Sequence, residues 1–183
     1  MKKMIFSVAM LAIVTASCAN GNKAPQQQNA QETPAPQVEA LVQENVEEGF
    51  APTFTLNDIN GKPLELISLR GKYVVLDFWG SWCGWCIKGM PEMKNYYEKY
   101  QGKFEILGVD CGDTEEKWRE AVKNLGLPWL HVYNPRDSKV LESYGIQGFP
   151  TKIVVGPDGK IVKTIVGEDP AFYTLLDELF GSK

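Results

Sequence analysis

The chain has 183 residues, 44% of them hydrophobic and 11% aromatic, which sets an expectation of one globular domain with short additions. A net charge of −4 and a pI near 5.1 leave no basic field to attract a phosphate backbone, so no nucleic-acid partner is expected. A single histidine, His131, argues against a histidine-based metal centre or catalytic triad, and neither a metal nor a cofactor is expected.

Lys2 and Lys3 precede an apolar run from Met4 to Ala16. That run is shorter than the ~20 residues of a comfortable membrane-spanning helix and fits a signal-peptide core. Residues 1–17 are read as such a segment. It ends in Thr15–Ala16–Ser17–Cys18, and small residues followed by cysteine resemble a bacterial lipoprotein processing site, with Thr15 standing where Leu is commoner. On that reading Cys18 is lipidated, and the chain sits on the periplasmic side of a bacterial membrane. Ala19, rather than Asp, follows Cys18, which by the enterobacterial sorting rule favours the outer membrane, though inner and outer membrane both stay open. Plain secretion with cleavage near Ala16 or Ala19 is an alternative, as is an uncleaved anchor. Residues 18–49 mix Gln26, Gln27, Gln28, Gln31 and Gln37 with Pro25, Pro34 and Pro36, and contain no aromatic residue. Such a stretch cannot bury enough apolar surface to offset its ordering entropy and reads as a disordered linker. Its r.m.s. span is roughly 30 Å by the flexible-chain relation. A short helix within Val38–Val46 is the alternative.

The folded domain is expected over residues 50–183. Thr53–Leu56 and Leu64–Leu66, separated by an Asn60–Gly61 turn signal, read as a β-hairpin. Tyr73–Trp79 is nearly continuously apolar, as in a strand covered on both faces. A helical pattern follows from Gly84 to about Tyr100, with a kink expected at Pro91. Phe104–Asp110 is a second buried strand, and Thr114 caps a helix over Thr114–Asn124 with Glu115 and Glu116 in its first turn. Trp129–Tyr133 reads as a short strand and Ser138–Tyr144 as a short helix. Lys152–Val155 and Lys160–Val166 form a hairpin across Gly156–Gly159, and Pro170–Phe180 closes the chain as an amphipathic helix. Strands alternating with helices, then a hairpin and a helix, give an α/β class with a mixed sheet flanked by helices.

The informative segment is the strand ending at Trp79 and the turn Gly80–Ser81–Trp82 that opens a helix at Cys83–Gly84–Trp85–Cys86. Two cysteines at this spacing can close a small disulfide ring. Cys83 falls at the helix N-terminus, where free N–H groups and the helix dipole stabilise a thiolate. It is therefore expected to be the more acidic, more exposed nucleophile, with Cys86 one turn in as the resolving thiol. A structural staple would usually join distant segments and gain stability by closing a long loop, which this ring does not. A zinc site would need a second ligand pair, and only Cys111 and His131 remain within the domain.

With those residues in view, the segment resembles thioredoxin, and the span from Ala51 to about Phe180 resembles the TlpA/ResA-like branch of the thioredoxin superfamily. Asp77 lies six residues before Cys83 and Pro91 five after Cys86, as in that family. Tyr144–Thr151 resembles the cis-proline loop, Ala51–Leu56 with Gly61–Lys62 the N-terminal β-hairpin, and the stretch between Asp110 and Pro150 the central insert. The resemblance implies a thiol-disulfide oxidoreductase with a redox-active Cys83–Cys86 disulfide. It further implies a cis Pro150, with the Phe149 backbone as a docking edge for an extended substrate. Asp77, in an otherwise apolar strand, is expected to hold a raised pKa and to take the proton of Cys86; an Asp at a frayed strand end is the alternative. Trp79 is expected in the core, and Trp82 and Trp85 on an exposed apolar rim. Asp113 is a further candidate, either aimed at the cysteines or a solvated loop or helix-start acid. Cys111 is read as a buried inert thiol and His131 as a structural residue.

The function expected is a membrane-anchored thiol-disulfide oxidoreductase that reduces protein disulfides as a monomer, recharged by a membrane thiol donor of the DsbD/CcdA type. The Gly84–Trp85 dipeptide departs from both thioredoxin and the strong oxidants, so a disulfide isomerase or oxidant stays open. A thiol peroxidase is disfavoured, because Gly80–Ser81–Trp82 lacks the Pro and Thr needed before a peroxidatic cysteine. A copper-delivery module would need a further soft ligand, for which Met90 and Met93 are the nearest candidates and more readily core residues.

Overall fold

The computed structural model of the chain describes residues 49–181. The expected signal segment, Cys18 and the linker up to residue 48 lie outside them. Seven strands form one mixed sheet in the order β2-β1-β5-β4-β3-β6-β7. They are β1 (Thr55–Asp58), β2 (Pro63–Glu65), β3 (Tyr73–Trp79), β4 (Phe104–Asp110), β5 (Leu130–Tyr133), β6 (Thr151–Val155) and β7 (Ile161–Val166). The helices are α1 (Gly84–Lys99), α2 (Glu115–Leu125), α3 (Val140–Ser143) and α4 (Ala171–Phe180). β3, β4 and β5 run parallel, and every other pairing is antiparallel. β5, from the insert, joins the N-terminal hairpin to the centre of the sheet by pairing with β1 at Asn57 and Asp58.

The central strands occupy the expected residues because their apolar runs are buried on both faces. Alternation along β3 sends Val75 and Trp79 to a cluster with Cys83, Cys86, Met90, Trp118 and Phe172. It sends Val74, Leu76 and Phe78 to a second cluster with Leu56, Val109, Ile153 and Val155 on the opposite face. Leu76 and Phe78 are fully buried, each contributing about 1.5–3 kcal/mol by leaving water.

α2 starts where its cap predicts: the Thr114 hydroxyl accepts the Lys117 N–H, and Gly126 ends the helix in the left-handed region. Its Trp118 and Val122 are buried four residues apart, one stripe of the helix. α1 runs through Pro91 as one helix. The first strand of the N-terminal hairpin sits further along than expected, at Thr55–Asp58, because pairing with β5 draws Asn57 and Asp58 into the ladder, and the second starts one residue earlier, at Pro63–Glu65. The short helix contracts to Val140–Ser143. No helix among the described residues is long and apolar enough to cross a membrane.

Candidate active site

β3 ends at Trp79, and Gly80–Ser81–Trp82 turns the chain into α1. Cys83 is the N-cap of α1, in extended conformation, and its Sγ accepts the Cys86 N–H at 3.1 Å. A helix start leaves its first N–H groups without helical partners, and here one of them points at the sulfur on which negative charge would develop. Cys83 and Cys86 form a disulfide with Cα atoms 5.3 Å apart. Cys83 is expected to be the more exposed cysteine. It is the more accessible of the pair, but at 6% exposed against 2% for Cys86 both are buried in the disulfide form. The indoles around them, not the sulfurs, present the surface.

Trp82 and Trp85 are 56% and 63% exposed, as expected of a rim, whereas Trp79 is fully buried. Trp82 is held in place. Its Nε1 donates to the Cys111 carbonyl at 2.8 Å, and its ring meets Phe149 edge-on with centroids 5.2 Å apart. Gly80 makes this fit: a Cβ there would lie 2.4 Å from the Trp82 Nε1 and 2.9 Å from the Cys111 carbonyl oxygen. Trp85 carries the Lys88 ammonium 4.7 Å above its ring. The Phe149–Pro150 peptide is cis, and the Pro150 carbonyl accepts the Gly167 N–H at 2.7 Å.

Asp77 lies between Val75 and Trp79 on β3, and alternation turns it to the face that carries Cys83 and Cys86. It is 1% exposed, and neither carboxylate oxygen has a hydrogen-bond partner among the described residues. The frayed-end alternative is excluded, because Asp77 pairs in register with Gly108 on one side and Lys152 on the other. Burial pushes its pKa up to about 6, Lys152 pulls it back, and Glu168 adds to the rise.

Asp113 immediately precedes the Thr114 cap of α2. It is buried, not solvated, and its carboxylate oxygens accept the Ser81 N–H and hydroxyl, each at 2.6 Å. It fastens the turn that presents Cys83. Cys111 is buried, with its thiol donating to the Val109 carbonyl at 3.3 Å, and burial holds its pKa far above that of a free thiol. His131 is a core residue between Trp79 and Trp129, kept neutral as burial lowers its pKa to about 4. Met90 and Met93 are 2% and 1% exposed in the core. Among the described residues no cluster of His, Cys, Asp and Glu is arranged to hold a metal.

Two buried features escaped the sequence reading. Lys152 is 1% exposed and ion-paired to Glu168 at 2.8 Å. Asp110 is fully buried at the end of β4, and burial together with the neighbouring Asp113 raises its pKa to about 8. The available signal was a charge inside an apolar strand: Lys152 sits in Thr151–Val155, all five of whose residues are buried.

A sheet of this order with a dithiol pair at the N-terminus of α1 and a cis-proline loop defines a thioredoxin-like thiol-disulfide oxidoreductase. A family model described as thioredoxin-like matches residues 71–161. The chain is 40% identical over 119 residues to the thiol-disulfide oxidoreductase ResA of Bacillus thuringiensis, covering 64% of this chain and 68% of that protein. The thioredoxin domain of a thiol-disulfide oxidoreductase from Bacteroides vulgatus superposes with a TM-score of 0.65 at 36% identity, over 71% of this chain and 95% of that one. An exposed lipoprotein thioredoxin of Streptococcus pneumoniae superposes with a TM-score of 0.59 at 29% identity, over 69% and 99%. The chain belongs to the ResA-like family of thioredoxin-fold thiol-disulfide oxidoreductases.

Proposed function

We propose that this enzyme is a reductant of protein disulfides, tethered by a lipid on Cys18 to the periplasmic side of a bacterial membrane and working as a monomer. Residues 1–17 then serve as the signal peptide, residues 18–49 as the linker and residues 50–183 as the catalytic domain. The single observation that carries the reading is a buried, unpartnered Asp77 with a raised pKa, on the sheet face that bears a cysteine pair whose N-terminal sulfur caps a helix.

In the reduced enzyme the Cys83 thiolate attacks a client disulfide, forming a Cys83–client disulfide and releasing one client sulfur as a thiolate. Cys86 then gives its proton to Asp77 and attacks the Cys83 sulfur. The Cys83–client bond breaks, the Cys83–Cys86 bond forms, and the second client sulfur leaves and takes up a proton. The enzyme loses two electrons and the client gains them. A carboxyl with a pKa near 6 serves as the proton acceptor because it is mostly ionised at pH 7 and still basic enough to be protonated when the thiol is pressed to ionise. Phe149 and Pro150 offer the edge along which an extended client pairs, and Trp82 and Trp85 give apolar contact beside it. A membrane thiol donor of the DsbD/CcdA type restores the dithiol. The lipoprotein relative from Streptococcus pneumoniae supports the tether.

A Cys86→Ser variant expressed in cells is expected to accumulate mixed disulfides through Cys83 that dissolve on reduction. Recovery of none would count against protein clients. Fatty-acid labelling that disappears in Cys18→Ser tests the anchor, and an unlabelled wild-type chain would reject it.

A further inference from the structure

The sheet places a lysine directly across from the proton acceptor. Asp77 and Lys152 are register partners on the antiparallel strands β3 and β6, so their side chains stand on one face as neighbours. Both are 1% exposed. The lysine nevertheless does not hydrogen-bond the aspartate. Its ammonium is bonded to the Glu168 Oε2 at 2.8 Å and lies 5.5 Å from the Phe172 ring, while the Asp77 oxygens have no partner. Glu168 is fixed in turn. Its Oε1 accepts the Tyr173 hydroxyl at 2.7 Å, and its carboxylate presses against α1 at Gly89, one turn beyond Cys86. A Cβ on Gly89 would lie 2.2 to 2.6 Å from the Glu168 carboxylate atoms, so the glycine is what lets this group sit there.

We propose that Lys152 and Glu168 are positioning residues for the redox reaction: Glu168, seated on Gly89, holds the Lys152 ammonium away from full pairing with Asp77 and so sets how readily Asp77 takes a proton. This rests on the reading of Asp77 as the proton acceptor of Cys86. With Asp77 ionised the three groups carry a net charge of −1, and with Asp77 protonated they are neutral. Burying a net charge is unfavourable, so the cluster favours uptake of the proton that Cys86 must lose. Were Lys152 free to pair fully with Asp77, the carboxylate would be stabilised and would accept that proton poorly. The shifts agree: burial raises the Asp77 pKa, Lys152 lowers it and Glu168 raises it.

The other groups facing Asp77 do not supply this control. Tyr173 of α4, half-buried, and Cys111 beyond β4, buried, are neutral groups with pKa values pushed well up. β4 contributes only Gly108 at the adjacent register position, and His131 of β5, beyond it, is held neutral. Cys83 and Cys86 of α1 are joined in the disulfide form and do not titrate.

The test is therefore a carboxyl-carbon NMR titration of Asp77 in the full disulfide-form chain, with aspartates isotopically labelled and Asp77→Asn used to assign the signal. Glu168→Gln and Gly89→Ala release Lys152 toward Asp77 and are expected to lower the titration midpoint by about one pH unit. Lys152→Met is expected to raise it by about one pH unit, and Lys152→Arg to leave it close to wild type. Opposite shifts from removing two members of one ion pair are not what general loosening of the core would give. Unchanged midpoints, or shifts of one sign in Glu168→Gln and Lys152→Met, would overturn the proposal. If Lys152→Met does not fold, the other two variants decide, a lowered midpoint supporting the proposal and an unchanged or raised one overturning it. The reading of Asp77 itself fails separately, if Asp77→Asn resolves the Cys83–client disulfide, releasing the client, as fast as wild type.

Discussion

Asp77 and Asp110 lie on the neighbouring parallel strands β3 and β4, buried to the same degree, and they hold their protons differently. Asp77 faces Lys152 across the sheet, and its pKa rises only to about 6. Asp110 has Asp113 beside it, a like charge fixed by its bonds to Ser81, and its pKa rises to about 8. Desolvation raises both, Lys152 draws Asp77 back down, and Asp113 pushes Asp110 further up. One carboxyl is left able to exchange a proton near neutrality. The other stays mostly protonated there, next to a carboxylate that fastens the active-site turn.

The comparison breaks first at Asp77. Asp77→Asn removes the proposed proton acceptor while keeping the shape, and insulin reduction at pH 7 is expected to slow about 100-fold. Asp110→Asn keeps the rate within about threefold. Equal losses in the two variants would show that burial of an acid, not its neighbours, matters. Gly80→Ala comes next. It drives a methyl group into the Trp82 indole and the Cys111 carbonyl, and should cost about 2–3 kcal/mol in chemical denaturation, with an altered indole fluorescence. Asp113→Ala strips two bonds from Ser81 and should cost about 2 kcal/mol.

The pH dependence of stability sharpens the contrast. Asp77 and Asp110 have raised pKa values, so the folded state binds their protons more tightly than the unfolded chain does. Stability from them is complete below about pH 4 and is lost as pH rises, through about 6 for Asp77 and about 8 for Asp110. His131 has the opposite sign: its pKa is lowered to about 4, so its contribution is present above about 6.5 and lost on acidification. Of the three, Asp110 changes most between pH 6.5 and 8. Wild type should lose roughly 1–2 kcal/mol across that window in urea denaturation, and Asp110→Asn should abolish most of the loss. The smallest effect belongs to Trp85, which is 63% exposed: Trp85→Ala should change stability by less than about 0.5 kcal/mol and act on client affinity instead.

The sequence was informative where local chemistry decides the structure. Tyr73–Trp79 and Phe104–Asp110 match the observed strands residue for residue, because both are buried on two faces and bounded by turns. Thr114 announced its helix through a cap that depends only on Lys117, three positions on. The cysteine spacing fixed the reactive pair, and Asp77 stood out as a charge in an apolar strand. What escaped depends on partners distant in the chain. Asp113 meets Ser81 across 32 positions, and Glu168 meets Lys152 across 16. Gly89 carries no signal of its own until Glu168 is seen resting on it. The burial of Cys83 could not be read from its cap position, because it depends on the core it joins, with Val75, Trp118 and Phe172 from other elements.

The central claim is that the Cys83–Cys86 couple gives electrons to client disulfides. Its most direct test is the reduction potential of the purified full chain, equilibrated against glutathione at pH 7. A value below about −220 mV, toward the thioredoxin range, is the result expected of a reductant. A value at or above about −180 mV, where isomerase-like and oxidising pairs lie, would contradict it.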